Sequence, residues 1–338
     1  MKLAVDAMGG DYAPEKVVQG VELARDKFAD TKFLLFGKED QIKKYLKNGE
    51  RITIVHTDSE IEMGDEPVRA VRQKKTSSLV LAAQAVKDGK ADALFSAGNT
   101  GALLAASLFI IGRIKGIDRP GMTTTLPSLE GHQDSFTMLD VGANAESKVK
   151  NLQQFAVLGN FYSANVMGVT SPRIALLNNG AEEDKGDTLH KETYQVLSDD
   201  PNLNFVGNIE SRELLNGTAD VVVTDGFTGN AVLKNTEGTA LSLLKLIKHS
   251  ILDSGVQGKL GGLMLKPVFK VVQDKMDYSK HGGAVLLGVK APVVKAHGSS
   301  NETQVYHALS QLRQMVDTNL TTNLADYFAT RSEQNKEI

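Results

Sequence analysis

Short apolar runs that alternate with helical patterns constrain the fold of this chain more than any other feature. Eight runs, most of them rich in Val, Ile, Leu or Phe, are predicted strands: Lys2–Asp6, Phe33–Phe36, Ile52–His56, Ala91–Phe95, Phe136–Val141, Ile174–Leu177, Asn204–Val206 and Asp220–Thr224. Helices are predicted at Pro14–Phe28, Lys148–Val166 and Lys185–Leu197, the first from apolar residues that repeat close to a 3.6 period. Such alternation builds crossover units, and continuously apolar strands fit burial on both faces. We therefore expect an α/β fold with three α/β/α layers around a mainly parallel sheet.

Length and one irregular segment set the expected domain organisation. The 338 residues fit two domains of about 150 residues or one large unit, and we expect a single unit spanning 1–338. Leu241–Lys280 has no clear strand, and its seven Lys against three Asp give a balance of +4 in a chain of net charge −3. We expect 241–280 to form a projecting helical hairpin. Its surface is open to two interpretations that can both hold: a charged face or dimer contact, and a contact with membrane or an acidic partner.

Composition excludes several classes of protein. The chain has no Cys, which removes disulfides, Cys-ligated metals and thiol nucleophiles, and its net charge argues against general nucleic-acid binding. The longest apolar stretch, Ala102–Ile111, is half of the ~20 residues that a bilayer span needs, so a buried helix is expected there. The first residues lack the apolar core of a signal peptide, which predicts a cytoplasmic protein. The seven His do not cluster at metal-ligand spacing, so no metal site is expected.

Five glycine-rich loops follow predicted strands. They are Asp6–Asp11, Ser96–Gly101, Asp140–Asn144, Asn178–Gly180 and Thr224–Asn230. Ligands of open parallel sheets bind beyond the carboxyl ends of strands, where helix N-termini suit phosphate. One such loop is often a plain turn, but several that combine Gly with Asn, Asp, Ser or Thr indicate an anionic ligand in one cleft. The dinucleotide, P-loop, nucleophile-elbow and HExxH motifs are absent.

His297 follows the apolar run Pro292–Ala296 and opens a polar loop. Ser299 and Glu302 in that loop fit a capping box. A lone histidine is more often structural, so a loop residue without a chemical role stays open beside a catalytic one.

The ordered set of motifs resembles that of the bacterial acyl-carrier-protein:phosphate acyltransferases of phospholipid synthesis. The motifs are Asp6–Asp11, Ser96–Ala102, Asp140–Asn144, Thr224–Asn230, and Gly282–Gly288 with His297–Ser299. The resemblance extends from Leu3 to about Leu324. It implies a fold similar to phosphotransacetylases and isocitrate/isopropylmalate dehydrogenases. It also implies a homodimer, without an organic cofactor, that associates peripherally with membrane.

The activity that the resemblance implies is transfer of a long acyl group from acyl carrier protein to inorganic phosphate. A membrane glycerol-phosphate acyltransferase would then use the acyl phosphate. A thiol with a pKa near ~8.5 is a good leaving group, and inorganic phosphate is ionised at pH 7, with a substantial dianionic fraction. A covalent enzyme nucleophile is therefore unnecessary. The site has to orient phosphate against the carbonyl and stabilise the oxyanion.

Candidate residues for these tasks come from the loops. The catalytic candidates are His297, as a donor to the oxyanion or the thiolate, Lys185, as a cation near phosphate, and Asn230. The substrate-binding candidates are Gly9, Gly10, Asp11, Asn99, Thr100, Gly101, Asn144, Asp225 and Thr228. Lys185 is equally open to interpretation as a surface lysine in an acidic loop. Asp6, Asp140 and Asp225 are expected to orient their loops, because a carboxylate repels phosphate.

The basic hairpin is the candidate contact with the acidic carrier or with anionic lipid. Its contact residues are predicted to be Leu260, Leu263, Met264, Leu265, Val268 and Phe269, together with Lys259, Lys266 and Lys270. Two other functions stay open. One is a short-chain phosphotransacetylase that uses coenzyme A thioesters, and the other is a non-catalytic carrier-protein or membrane adaptor.

Overall fold

An eleven-stranded mixed sheet forms the centre of the protein. The computed structural model describes residues 1–131, 133–276 and 282–334. The strands in chain order are β1 Lys2–Asp6, β2 Lys32–Gly37, β3 Ile52–His56, β4 Ala93–Ser96, β5 Gly121–Pro127, β6 Ser135–Leu139, β7 Arg173–Asn178, β8 Asn204–Glu210, β9 Val221–Val223, β10 Ala284–Leu287 and β11 Val293–Lys295. Across the sheet their order is β3-β2-β1-β4-β11-β10-β5-β6-β9-β7-β8.

Helices connect most of these strands. Within the described residues they are α1 Glu15–Lys27, α2 Glu39–Tyr45, α3 Pro67–Gln73, α4 Ser78–Lys87, α5 Thr100–Ala106, α6 Val149–Asn165, α7 Thr188–Ser198, α8 Gly226–Asp253, α9 Gly255–Met276, α10 Glu302–Asp317 and α11 Leu320–Gln334. A π-helical turn, Ser107–Ile111, continues α5, and a 3₁₀ turn, Ser211–Asn216, follows β8. In that part of the chain no helix is both long enough and apolar enough to cross a bilayer.

The sheet consists of two parallel groups that run in opposite directions. Strands β3, β2, β1, β4 and β11 are parallel to one another, as are β6, β9, β7 and β8. Between the groups, β10 is antiparallel to β11 and β5, and β5 is antiparallel to β6. The strands of the two groups therefore point their carboxyl ends in opposite directions. Residues that follow strands of both groups meet over the central strand β5.

Alternating side chains fill two layers of core. Odd-numbered β1 residues such as Leu3 and Val5 belong to one large core that extends along the sheet from β2 to β7. The opposite face carries two separate cores, one beneath α3, α4 and α5, and one beneath the start of α8. Ala143 packs against both of these smaller cores. The gap between them lies over β10 and β5.

The expected fold class is confirmed, and the eight predicted strands all form close to their predicted bounds. Three strands were not predicted: β5, which is rich in Thr, and the antiparallel pair β10 and β11. The stretch Ala102–Ile111 is helical but only partly buried, since Phe109 in its π-helical turn is 55% exposed. The single unit spanning 1–338 stays a prediction.

The predicted hairpin is present as the two helices α8 and α9. It is longer than the predicted segment 241–280, because α8 begins at Gly226. Residues 277–280 of that segment lie outside the described residues. From residue 241 to 276, none of the described side chains is buried, and the start of α8 alone joins the core, through Leu233.

Candidate active site

A cavity of about 620 Å³ occupies the gap between the two smaller cores. Its floor is Met122 and Thr124 of β5 with the start of β10. Thr100, Asn230 and His297 line its walls, so the structure brings together three candidates from three separate loops. Most of the remaining candidates support these walls.

Asp6 ties the first glycine loop to the loop after β4. Its Oδ2 accepts a hydrogen bond from Ser96 Oγ at 2.7 Å, and its Oδ1 accepts one from Ser78 Oγ at 2.6 Å. Burial raises the pKa of this carboxyl, although the two hydroxyl donors act in the opposite direction. Asp6 therefore holds the side chains of Ser78 and Ser96 in place beside the first loop.

Gly9, Gly10 and Asp11 sit beside the cavity-lining loops. Gly10 has φ +117°, which favours glycine, and lies against Ala97 and Gly298. The backbone N–H of Asp11 donates to Gly298 O at 2.8 Å. The first loop is thereby fixed to the two loops that carry Thr100 and His297.

Asn99 and Gly101 hold the start of α5. Asn99 caps the helix by accepting from the Ala102 N–H at 3.0 Å, and its amide donates to the carbonyls of Met63 and Asp65, both at 3.0 Å. Gly101 lies against Pro67 of α3, where a Cβ would come within 2.5 Å of Pro67 Cγ. Both side-chain positions are therefore occupied by structural contacts that place Thr100 at the cavity.

Asp140 organises the loop after β6. This fully buried carboxylate accepts hydrogen bonds from the backbone N–H groups of Met122, Gly142, Ala143 and Asn144 at 2.9–3.0 Å. Asn144 was a candidate phosphate donor, but its Nδ2 donates to Pro120 O and Asp140 Oδ2, both at 2.8 Å. Because both of its N–H bonds are used, Asn144 supports the loop in this structure.

The start of α8 brings Asn230 to the cavity. Asp225 caps this helix by accepting from the N–H groups of Phe227 at 3.0 Å and Thr228 at 2.9 Å. Asn230 is exposed one turn into the helix, and it lies beside Gly142 of the loop after β6. Asp225 therefore acts on the helix, and Asn230 is the side chain of this loop that reaches the cavity.

Nδ1 of the His297 ring contacts its own loop, and Nε2 has no hydrogen-bond partner among the described residues. Its Nδ1 accepts from the Ser299 N–H at 3.2 Å and lies 2.8 Å from Ser299 Oγ. Since Nδ1 accepts a backbone N–H, the neutral ring carries its proton on Nε2. The capping box predicted for Ser299 and Glu302 is wrong, because α10 begins at the N-cap Asn301, which pairs with Gln304.

Lys185 is the one catalytic candidate that does not line the cavity. It lies in the loop after β7, with Nζ 3.9 Å from Glu182 and its aliphatic stem against Gly180. This loop follows β7, which lies next to the edge strand β8 and away from the central strand β5 that forms the cavity floor. The structure therefore does not bring Lys185 together with Thr100, Asn230 and His297.

Lys295, at the end of β11, lines the cavity and was missed by the sequence interpretation. It is only 8% exposed, and its Nζ donates to Ala97 O at 3.2 Å and to Ala296 O. Burial lowers its pKa to about 8, against the opposing effect of Asp6 and Asp11. Its signal in the sequence is a charge at a core-facing position of an otherwise apolar strand.

The predicted hairpin contacts are exposed, except that Phe269 is half-buried. Leu263 and Phe269 also line a second cavity, of about 630 Å³, between α8 and α9. Lys259 and Lys266 lie at this cavity as well. Leu241 lines both cavities, which places the apolar groove of the hairpin next to the polar site.

The sequence is similar to that of a described protein family and of individual phosphate acyltransferases. Residues 1–323 match the family model described as fatty acid synthesis protein. A phosphate acyltransferase from Pediococcus pentosaceus is 70% identical over 337 residues, which cover 100% of this chain and 97% of that protein. A phosphate acyltransferase from Lactiplantibacillus plantarum is 60% identical over 330 residues, 97% of this chain and 95% of that protein.

A solved structure has the same fold at much lower identity. The phosphotransacetylase from Streptococcus pyogenes matches with a TM-score of 0.61 and 18% identity over 94% of each chain. This likeness concerns the fold alone. Because the family model matches residues 1–323 and relatives at 60–70% identity cover 97–100% of the chain, the protein belongs to the fatty acid synthesis protein family and, within it, to the phosphate acyltransferases.

Proposed function

We propose that this protein transfers a long-chain fatty acyl group from acyl carrier protein to inorganic phosphate and releases acyl phosphate. Membership of the phosphate acyltransferases carries this proposal. The cavity supports it, because Thr100, Asn230, Lys295 and His297 bring hydrogen-bond donors together at one place.

The reaction needs orientation and charge stabilisation. A phosphate oxygen attacks the thioester carbonyl, a carbon–oxygen bond forms, and collapse of the tetrahedral oxyanion breaks the carbon–sulfur bond. The proton of the hydrogen phosphate dianion ends on the departing thiolate, so no oxidant or further reactant is required. His297 donates from Nε2 to the oxyanion, and Asn230 and Thr100 orient the reactants. One such donor is worth roughly 3–4 kcal/mol of barrier.

A path for a long acyl chain favours this reaction over its short-chain alternative. The polar cavity reaches Leu233 and Leu241 of α8, and Leu241 also belongs to the groove between α8 and α9. An acetyl group is too short to extend into this groove. The competing function, a short-chain phosphotransacetylase using coenzyme A thioesters, is favoured only by the shared fold.

Substrate comparison tests the proposal. Purified protein is given palmitoyl-acyl carrier protein or acetyl-coenzyme A, each with and without inorganic phosphate, and acyl phosphate is trapped as the hydroxamate. We expect phosphate-dependent product from the palmitoyl carrier alone. Product from acetyl-coenzyme A alone would establish the short-chain enzyme, and carrier binding without turnover would establish the adaptor.

The hairpin is proposed as a reversible membrane contact. Val256, Leu260, Met264 and Val268 follow at steps of four along α9, so they share one face, and all four are exposed. Lys259, Lys266 and Lys270 on the same helix are also exposed and suit anionic lipid. An apolar face of this kind normally marks an interaction site.

Membrane contact fits an amphiphilic product that a membrane glycerol-phosphate acyltransferase then consumes. We further propose a homodimer in the cytoplasm that visits the bilayer surface through this hairpin. Light scattering of the purified protein tests the dimer, for which twice the chain mass of 36.4 kDa is expected.

A further inference from the structure

Lys295 occupies a core-facing position of β11, where an apolar side chain is usual. Along β11, Val293 faces one of the smaller cores and Val294 faces the large core. Because side chains alternate along a strand, Lys295 points to the same face as Val293. Both faces of this sheet are covered by helices, so the alternation places an ammonium group inside the protein, at the gap that forms the cavity.

The partners of the Lys295 ammonium among the described residues are neutral. Nζ donates to the carbonyls of Ala97 and Ala296, and no carboxylate of a described residue forms an ion pair with it. Such a buried charge costs free energy unless a counter-ion accompanies it. Among the described residues, two of its three N–H bonds find an acceptor, and the third is available to a ligand in the cavity.

The charged groups near Lys295 do not serve as its counter-ion. Within the described part of the chain, the charged and titratable groups around Lys295 are Asp6 and Asp11 of the first loop, Lys234 and Glu237 of α8, and His297. Asp6 is bonded to Ser78 and Ser96, and Lys234 pairs with Glu237 at 3.2 Å. The cavity therefore holds a buried cation whose nearest carboxylates are engaged elsewhere or act from a distance.

We infer that Lys295 binds the phosphate acceptor, donating from Nζ to a phosphate oxygen inside the cavity and offsetting the charge of the dianion. This inference rests on the proposed function, since it names the cation that the nucleophile needs. It replaces Lys185 in that task, because Lys295 lines the same cavity as His297 and Asn230 whereas Lys185 does not. The contact makes Lys295 a catalytic residue.

A definite pH dependence follows. Because the pKa of Lys295 is lowered to about 8 by burial, the free protein loses this charge as pH rises through 8. Inorganic phosphate is already mostly dianionic at pH 8, because its second pKa lies below that pH, so its own titration adds little further change there. Bound phosphate raises the lysine pKa. The dissociation constant for phosphate should therefore increase about tenfold per pH unit above pH 8.

Two substitutions separate phosphate binding from a structural role. Lys295→Met removes a buried charge while keeping most of the volume, and Lys295→Arg keeps a charge that persists at high pH. Lys290→Met is the matched control, because Lys290 is an exposed lysine between β10 and β11, outside the cavity. Calorimetric titration with inorganic phosphate from pH 7 to 9.5 and thermal unfolding without phosphate are measured for each protein.

Lys295→Met should raise the dissociation constant for phosphate about 10- to 100-fold at pH 7.5, the loss expected for a charge-assisted hydrogen bond. Its unfolding temperature without phosphate should not fall. Lys295→Arg should bind phosphate with no weakening above pH 8, and Lys290→Met should match the wild type. Unchanged phosphate affinity in Lys295→Met, or an unchanged pH slope in Lys295→Arg, would overturn the inference.

The same experiment distinguishes this inference from the proposed function. A wild type that binds phosphate through Lys295 but forms no acyl phosphate from palmitoyl carrier would contradict the function alone. A wild type that forms acyl phosphate, with a Lys295→Met variant that loses kcat but keeps the phosphate KM, would contradict the assignment of Lys295 to phosphate.

Discussion

Gly9 shows how a residue without a side chain can determine the geometry of a site. A Cβ at this position would lie 2.6 Å from Asp6 Oδ2 and 2.7 Å from Gly98 N. Neither atom can withdraw easily, because Asp6 is held by two hydroxyl groups and Gly98 N donates to Ser96 Oγ at 3.0 Å. The close approach connects the first loop to the loop that carries Thr100.

Gly9→Ala should destabilise the protein by about 1–3 kcal/mol, as overpacking of a rigid site does, and should also lower kcat. Urea unfolding and steady-state kinetics measure the two effects. Gly64→Ala is the control, since a Cβ at Gly64 would meet nothing within 4 Å. Equal stability of Gly9→Ala and the control would show that the loops are not joined as described.

His297→Ala should lower kcat about 10²- to 10³-fold, the usual loss when one oxyanion donor is removed. The unfolding temperature should stay the same, because His297 is exposed. His56→Ala is a matched control: this exposed histidine of β3 also accepts a backbone N–H, from Glu39 at 3.2 Å, but lies far along the sheet order. Similar kcat values for the two variants would remove His297 from the mechanism.

For individual residues, the sequence indicated which loops contribute to the site better than it indicated the role of each side chain. It placed Thr100, Asn230 and His297, which share one cavity, in three polar loops. It assigned phosphate to Asn144, whose amide is used by the loop itself, because hydrogen-bond partners are not visible in a motif. Lys295 was missed because β11 was not predicted as a strand, so the alternation that places this lysine on a core-facing side was not recognised.

Helix α9 carries a stripe of apolar side chains that are exposed. Met264, at the middle of its apolar stripe, is 82% exposed. The exposed Lys259, Lys266 and Lys270 lie on an adjacent face of the same helix. An element of this kind gains free energy when an interface takes up its apolar side chains.

Met264→Asp should weaken binding to anionic vesicles about tenfold or more, because burying a Met side chain contributes ~1.5–3 kcal/mol. Co-sedimentation with phosphatidylglycerol vesicles at low salt measures the retained fraction. Val206→Asp serves as the control, since Val206 is an exposed apolar residue of the edge strand β8. If both variants bind like the wild type, α9 does not meet the membrane.

Strands rich in Val, Ile, Leu or Phe were predictable, and β5 was not. Its residues Thr123, Thr124 and Thr125 are all buried, yet three consecutive polar residues give no apolar run in the sequence. They are buried because β5 is a central strand flanked by β10 and β6. Tertiary position here overrides local pattern.

The whole sheet explains why the site lies where it does. Two parallel groups of opposite direction cannot present all their loops at one edge, so only the loops near the central strands share a cavity. The sequence predicted a mainly parallel sheet, because local patterns report helices and strands. It could not predict the reversal between β11 and β6, since strand order and direction depend on contacts between distant segments.

Direct attack of phosphate on the carrier thioester is the central claim, and a single-turnover experiment tests it most directly. Equimolar protein and palmitoyl-acyl carrier protein are mixed without phosphate, and inorganic phosphate is added after a delay. We expect the thioester to stay intact during the delay and then to yield acyl phosphate and free carrier in equal amounts. Release of free carrier before phosphate is added would mean a covalent acyl-enzyme or hydrolysis, and would contradict direct transfer.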